Sequence, residues 1–152
     1  MTPKYADYLS EILGKLTFCK HQLPSEYNGT CEDVQSLVSK FVDNVPRPVV
    51  LSLLEFLQLA DGVAWNGLGL FGSRPNEYCE GIVEGNREFQ SDGLPGNFLL
   101  FGYDSLSLYL YDISANQYQS TDRAAITVYD RFGSFDELIR DALGRTLNLV
   151  DA

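Results

Sequence analysis

The residues Asn66-Gly67-Leu68-Gly69-Leu70-Phe71-Gly72 carry glycines at the G-x-G-x-x-G spacing that cradles a dinucleotide pyrophosphate. Asp92 falls twenty positions after the last glycine, about where a ribose-binding carboxylate would stand. That chemistry needs a buried strand before the glycines and a helix opening at the third, because the helix N-terminus holds the pyrophosphate. The surrounding residues predict the reverse order. A Pro-led helical pattern precedes the glycines, Leu68, Leu70 and Phe71 fill the gaps with bulk, Arg74-Pro75 interrupts the chain, and Asp92 sits in the turn-like "SDGLPG". No nucleotide cofactor is expected. The glycines are read as letting a strand bend closely under the preceding helix.

Other chemistry-bearing residues are sparse. The single histidine, His21, lies in a polar link with Cys19 two residues before it. A Cys-His nucleophile or a metal site would need further partners, and Cys31 and Cys79 supply no ligand spacing. The three cysteines are read as packing residues, and neither a catalytic residue nor a metal is expected. One acidic constellation has shape. In "NEYCEGIVEGNREFQSD", Glu77, Glu80, Glu84 and Glu88 are spaced three, four and four apart, forming one stripe if the segment is helical, with Tyr78, Ile82 and Phe89 on another face. Gly81 and Gly85 lower its helix propensity by about 1 kcal/mol each, which points to a short, irregular or mobile helix. With Asp92, this is the densest single-sign patch in the chain, and it reads either as a solvated face or as a docking surface for a basic protein. Trp65 and Asn66, expected in the turn between the central helix and the first strand, could add an aromatic anchor, although a core role suits the Trp equally. The strand ends around Asp104 and Asp112 are the next acidic surface.

The elements that must position these residues follow from periodicity and punctuation. Tyr5, Leu9, Ile12, Leu13 and Leu16 make an N-terminal helical stripe; Thr30 and Asp33 cap a second helix through Val34, Leu37, Val38 and Phe41. Pro48 opens a third, with Val50, Leu53, Leu54 and Leu57 inward and Gly62 as its left-handed stop. Short aromatic or β-branched runs follow: "GLGLFG", "FLLFGY" (98–103), "LSLYLYDI" (106–113) and "AAITVYD" (124–130), with Asp104-Ser105 as a tight turn. Ser134 and Glu137 form a capping box for a last helix that Gly144 should end. Helices, then strands, then one helix predict an α+β fold, with a mostly antiparallel sheet packed against N-terminal helices and a C-terminal helix.

At 152 residues the chain suits one domain able to fold without metal or disulfide, and 45% hydrophobic and 12% aromatic residues exclude disorder. No apolar run reaches the roughly 20 residues of a membrane span, and the N-terminus lacks a signal-peptide pattern, so a cytoplasmic location is expected. Acidic residues outnumber basic ones 21 to 11, for a formal charge of −10. Such a surface repels nucleic acid and anionic lipid and attracts a basic partner.

The order of a Pro-led helix running into "LLEFLQLADG", then "NGLGLFG", "FLLFGYDSLSLYLYDI" and "ITVYDRFGSFDELIRDAL", resembles the SUKH superfamily of bacterial immunity proteins over residues 46–143, with 1–45 as a helical addition within a single domain of 1–152. The resemblance implies an α+β domain that binds and neutralises a protein toxin, by stoichiometric contact and not as an enzyme. The acidic surface then implies a basic toxin, for which Glu77, Glu80, Glu84, Glu88, Asp92, Trp65, Asn66 and Asp104 are the candidate contacts. The rival readings are an intracellular scaffold or regulator on the same fold and an enzyme with dispersed carboxylates.

Overall fold

The computed structural model describes residues 2–15, 27–77 and 79–148. His21, Cys19 and Tyr78 lie outside the described residues. The elements run α1 (Ala6–Lys15), α2 (Cys31–Val38), α3 (Arg47–Leu59), β1 (Val63–Trp65), β2 (Leu68–Leu70), α4 (Ile82–Ser91), β3 (Phe98–Tyr103), β4 (Ser107–Asp112), β5 (Gln117–Asp122), β6 (Val128–Phe132) and α5 (Phe135–Thr146). The six strands form one antiparallel sheet in sequence order. The fold is α+β, with three helices before the sheet, α4 between β2 and β3, and one helix after the last strand. Among the described residues no helix is long and apolar enough to cross a membrane.

Local signals place most boundaries. The Thr30 hydroxyl accepts from Asp33 N–H while the Asp33 carboxylate accepts from Thr30 N–H, the reciprocal cap that starts α2. At α5 the Ser134 hydroxyl accepts from Glu137 N–H. Gly144 does not end that helix. It is buried and helical, and the left-handed stop falls at Asn148, with φ 60°. The helix is held to its last turn from outside: Asn66 Nδ2 donates to the Thr146 carbonyl at 3.0 Å, and the Thr146 hydroxyl donates to the Asn66 carbonyl at 3.3 Å.

The strand pattern departs from expectation at both sheet edges. Before "LGL" there is a further strand, Val63–Trp65, joined to β2 by Asn66-Gly67 with φ values of 50° and 85°, the two left-handed positions of a tight hairpin turn. Trp65 therefore ends β1 rather than lying in a helix-to-strand turn. Toward the other edge, Gln117–Asp122 is a strand built largely of polar residues, and the final strand starts at 128, not 124. Residues 123–127 turn because the Asp122 carboxylate accepts from Ala124 and Ala125 N–H and Ile126 takes φ 58°.

The core lies mainly between the sheet and α5. Tyr5 of the segment leading into α1, Phe56 of α3 and Phe135 of α5 meet with ring centroids 6.0–6.2 Å apart, and Phe101 meets Phe135 edge-on at 5.1 Å. α5 packs on β2, so the glycine-flanked strand lies beneath this helix rather than beneath α3, whose main neighbours are α2 and α5. Gly72 does approach the end of α3: a Cβ there would sit 2.6 Å from the Asp61 carbonyl oxygen.

Helix α4 covers the opposite face. It is inserted between β2 and β3, and it solves a pairing problem. β2 meets β3 only at Gly69–Tyr103 and Leu70–Gly102, with Phe71 N–H reaching the Phe101 carbonyl at 2.9 Å, so β2 leaves the β3 edge bare from Leu100 back to Phe98. Asn86, fully buried on α4, fills the gap. Its Oδ1 accepts from Leu100 N–H at 2.8 Å and its Nδ2 donates to the Leu100 carbonyl at 2.9 Å, as a neighbouring strand would. Gly85 lets the helix sit this low, since a Cβ there would lie 2.5 Å from the Phe71 ring. The two glycines are therefore a cap and a packing contact of this helix, Gly81 being its N-cap.

Candidate functional site

Directly paired residues in an antiparallel sheet point to the same face, and neighbours along a strand alternate. Tyr103 pairs with both Gly69 and Leu108, and all three face α4. Trp65 pairs with Leu68 and faces α5. The expected docking residues are thus divided between two sides of the sheet. Trp65 is half-buried against the core, with Lys15 Nζ 5.8 Å from its ring centroid, and the Asn66 amide serves the end of α5.

On the α4 side, Glu80, Glu88 and Asp92 line one groove of about 490 Å³, with Phe89, Tyr103 and Arg123 as its other polar or aromatic walls and Leu108 among its apolar lining. Only Glu84 and Glu88 of the proposed stripe lie on the helix, because α4 begins at Ile82. The preceding residues are tied into a loop: Gly72 N–H donates to the Glu80 carbonyl at 3.0 Å, Ile82 N–H donates to the Gly72 carbonyl at 2.8 Å, and Asn76 Oδ1 accepts from Cys79 N–H. Glu77 is exposed in this loop, outside the groove, and Glu84 is exposed one helical turn away from Glu88. Cys31 and Cys79 are buried.

The groove has an internal order. The Tyr103 hydroxyl donates to Glu80 Oε1, which fixes that carboxylate beside the ring. Burial, and then the Glu80 carboxylate, push the Tyr103 hydroxyl up to about 12, so it remains a donor at neutral pH. The Phe89 and Tyr103 rings lie 5.4 Å apart, tilted by 48°, and Arg123 Cζ lies 4.7 Å from the Tyr103 centroid and 5.6 Å from that of Phe89. Arg123 Nη1 donates to the Asp104 carbonyl at 3.0 Å. Among the described residues no carboxylate lies within ion-pair distance of Arg123, and the Glu88 and Asp92 carboxylates have no ion pair. Asp104 borders the groove through its backbone only. Its carboxylate accepts from Leu106 N–H, Ser107 N–H and the Tyr109 hydroxyl at 2.9, 2.7 and 2.6 Å, closing the β3–β4 turn.

Sequence reasoning missed Arg123 and Asn86. Arg123 opens a turn twenty residues from Tyr103, and nothing in spacing joins them; only the β4–β5 pairing brings that turn back to the groove. Asn86 carried a readable signal, an amide on the otherwise apolar side of an amphipathic helix. Among the described residues no group of three or more His, Cys, Asp or Glu side chains is placed to hold a metal ion. Compared with known proteins, the chain matches no family model, and no curated protein matches it.

Proposed function

We propose that the chain is an immunity protein that binds and neutralises a basic protein toxin by stoichiometric contact, with the α4 side of the sheet as the contact surface. The observation that carries this reading is the groove: three carboxylates around an aromatic wall, none of them in an ion pair among the described residues, on a chain of net charge −10. Opposite potentials speed encounter, and a neutralising protein must reach its toxin before the toxin reaches its target. The order of sequence patterns that resembles SUKH immunity proteins supports the same reading, as does the α+β fold with its antiparallel sheet.

The test is co-expression with the toxin encoded beside this gene. Growth should be protected only when the protein is present at one equivalent or more. Protection at far lower ratios would indicate enzymatic detoxification, and the absence of a neighbouring toxin gene would favour the scaffold or regulator. Within the complex, Glu88→Lys combined with Asp92→Lys should slow association roughly 10-fold or more at low salt and much less at high salt, because exposed charges act chiefly on the encounter rate. Stopped-flow rates across an ionic-strength series measure this, and unchanged rates at low salt would move the interface off this face.

A further inference from the structure

We infer that the α4 groove is a seat for an arginine side chain of the partner, and that Arg123 occupies this seat as a stand-in while the protein is free. The inference rests on reading this face as the docking surface for a basic protein, and it assigns the chemistry of the contact. Three observations carry it.

The first is that the aromatic wall already holds a guanidinium. Arg123 lies over Tyr103 at 4.7 Å and Phe89 at 5.6 Å, both within the range where ring faces attract cations. The second is that few protein groups hold Arg123 there. Its side chain is exposed, and among the described residues its side-chain donors meet one protein acceptor, the Asp104 carbonyl, whereas a guanidinium has five N–H donors. The third is that the acceptors such a group lacks stand nearby and unused. Glu88 and Asp92 line the same groove without an ion pair among the described residues, and Glu80 is held beside the ring by Tyr103.

Arg123 reaches the rings from the β5–β6 turn, which its own N–H anchors to the Leu106 carbonyl at 3.0 Å. With Arg123 displaced, a guanidinium arriving from solvent takes its place on the same rings, in a groove also lined by Glu88 and Asp92. Exchange then adds charge-assisted bonds that the resident arginine does not make. Arginine suits the seat better than lysine because the planar group stacks and offers two parallel donors, whereas an ammonium is a compact, strongly hydrated point charge. The groove volume of about 490 Å³ falls in the range of side-chain and small-ligand pockets.

The experiment uses the free protein, so its outcome is separate from whether a toxin exists. Nα-acetyl-L-arginine amide is titrated into wild type and Arg123→Ala, following the Tyr103 and Phe89 ring resonances by NMR, with the lysine amide as comparison. Arg123→Ala should bind the arginine amide saturably and at least about 5-fold more tightly than wild type, and more tightly than it binds the lysine amide. Glu88→Gln with Asp92→Asn, in the Arg123→Ala background, should weaken that binding several-fold. Arg123→Gln provides a second vacated seat if Arg123→Ala is poorly folded, with the same expectation. Equal response to arginine and lysine amides would overturn the inference, because it would reduce the groove to diffuse negative potential. Equal affinities of wild type and both Arg123 variants would overturn the stand-in role. A protein that binds the arginine amide as described yet protects against no toxin would retain the seat and lose the immunity reading.

Discussion

Replacing Asn86 by Leu should lower the stability of the protein by roughly 3–5 kcal/mol, a drop in Tm on the order of 10 °C for a chain of this length. Leu has as many side-chain heavy atoms as Asn and a larger volume, so no void opens and the loss would come chiefly from unpaired polar groups. The Leu100 N–H and carbonyl face the α4 side of β3 where β2 has ended, and the Asn86 amide is what pairs them. Removing it orphans a buried donor and a buried acceptor, each costing about 1–3 kcal/mol, and also removes the side-chain bond that Asn86 Nδ2 donates to the Ile82 carbonyl at 2.8 Å. Asn86→Asp separates the two halves of this role. It keeps an acceptor for Leu100 N–H but places a carboxylate against the Leu100 carbonyl in a fully buried site, which raises its folded-state pKa above the unfolded value. A group whose pKa is raised on folding loses stability as pH rises through the interval between the two values. Asn86→Asp should therefore be strongly destabilised at pH 7 and recover relative to wild type as pH falls toward 4. Urea titrations with an unchanged m-value measure both effects. A wild-type midpoint for Asn86→Leu would mean that α4 does not close this edge.

That edge also shows what the sequence could and could not convey. Periodicity located α1, α2, α3 and α5, because each buries one face, and the Thr30 and Ser134 caps fixed two of their starts. Strands that pack apolar groups on both faces, such as β3 with five buried residues in six, were legible as short aromatic runs. β5 was not, because its buried positions, on both faces, are Gln119, Ser120 and Thr121, polar residues whose burial depends on partners outside the strand. The hairpin of β1 and β2 was written in Asn66-Gly67 but hidden by its length of three residues per strand. The acidic segment had the right composition and the wrong extent: a helical stripe through Glu77 and Glu80 required a helix where Gly72 and Gly81 instead bridge the chain. The groove itself joins three separated segments, and its cation comes from a turn that no local pattern marks.

Beside that groove Gly102, on the strand next to the glycines that first suggested a nucleotide site, has a steric role of its own. A Cβ at Gly102 would lie 2.7 Å from Leu70 Cδ2 and 2.9 Å from Leu70 Cα, and would collide with the Gly69 carbonyl oxygen. These are mostly backbone atoms of the adjoining strand, and Leu70 is itself buried, so no side-chain rotation relieves the contact. Gly102 sits beside the bulge at Phe101, where the β3–β4 register shifts between Leu100 and Gly102, and the close approach lets β2 pair at Gly69 and Leu70. Gly69 lies against the Tyr103 ring, which a Cβ there would meet at an ordinary contact distance of 3.4 Å. Gly102→Ala should then cost about 3 kcal/mol, the upper part of the range for overpacking, because a strand rather than a side chain must move. Gly96→Ala, with no atom within 4 Å of the added methyl, should stay within about 0.5 kcal/mol of wild type. The local signature is separable from the global one: Phe71 N–H, bonded to the Phe101 carbonyl at 2.9 Å, should exchange with solvent faster in Gly102→Ala even under conditions where the rest of the sheet stays protected. Because Tyr103 follows directly, the displaced strand should also free its ring from Glu80 and open the aromatic wall. An unchanged exchange rate at Phe71 together with wild-type stability would show that β2 is not seated on β3 through this glycine, and the groove would then owe its shape to α4 alone.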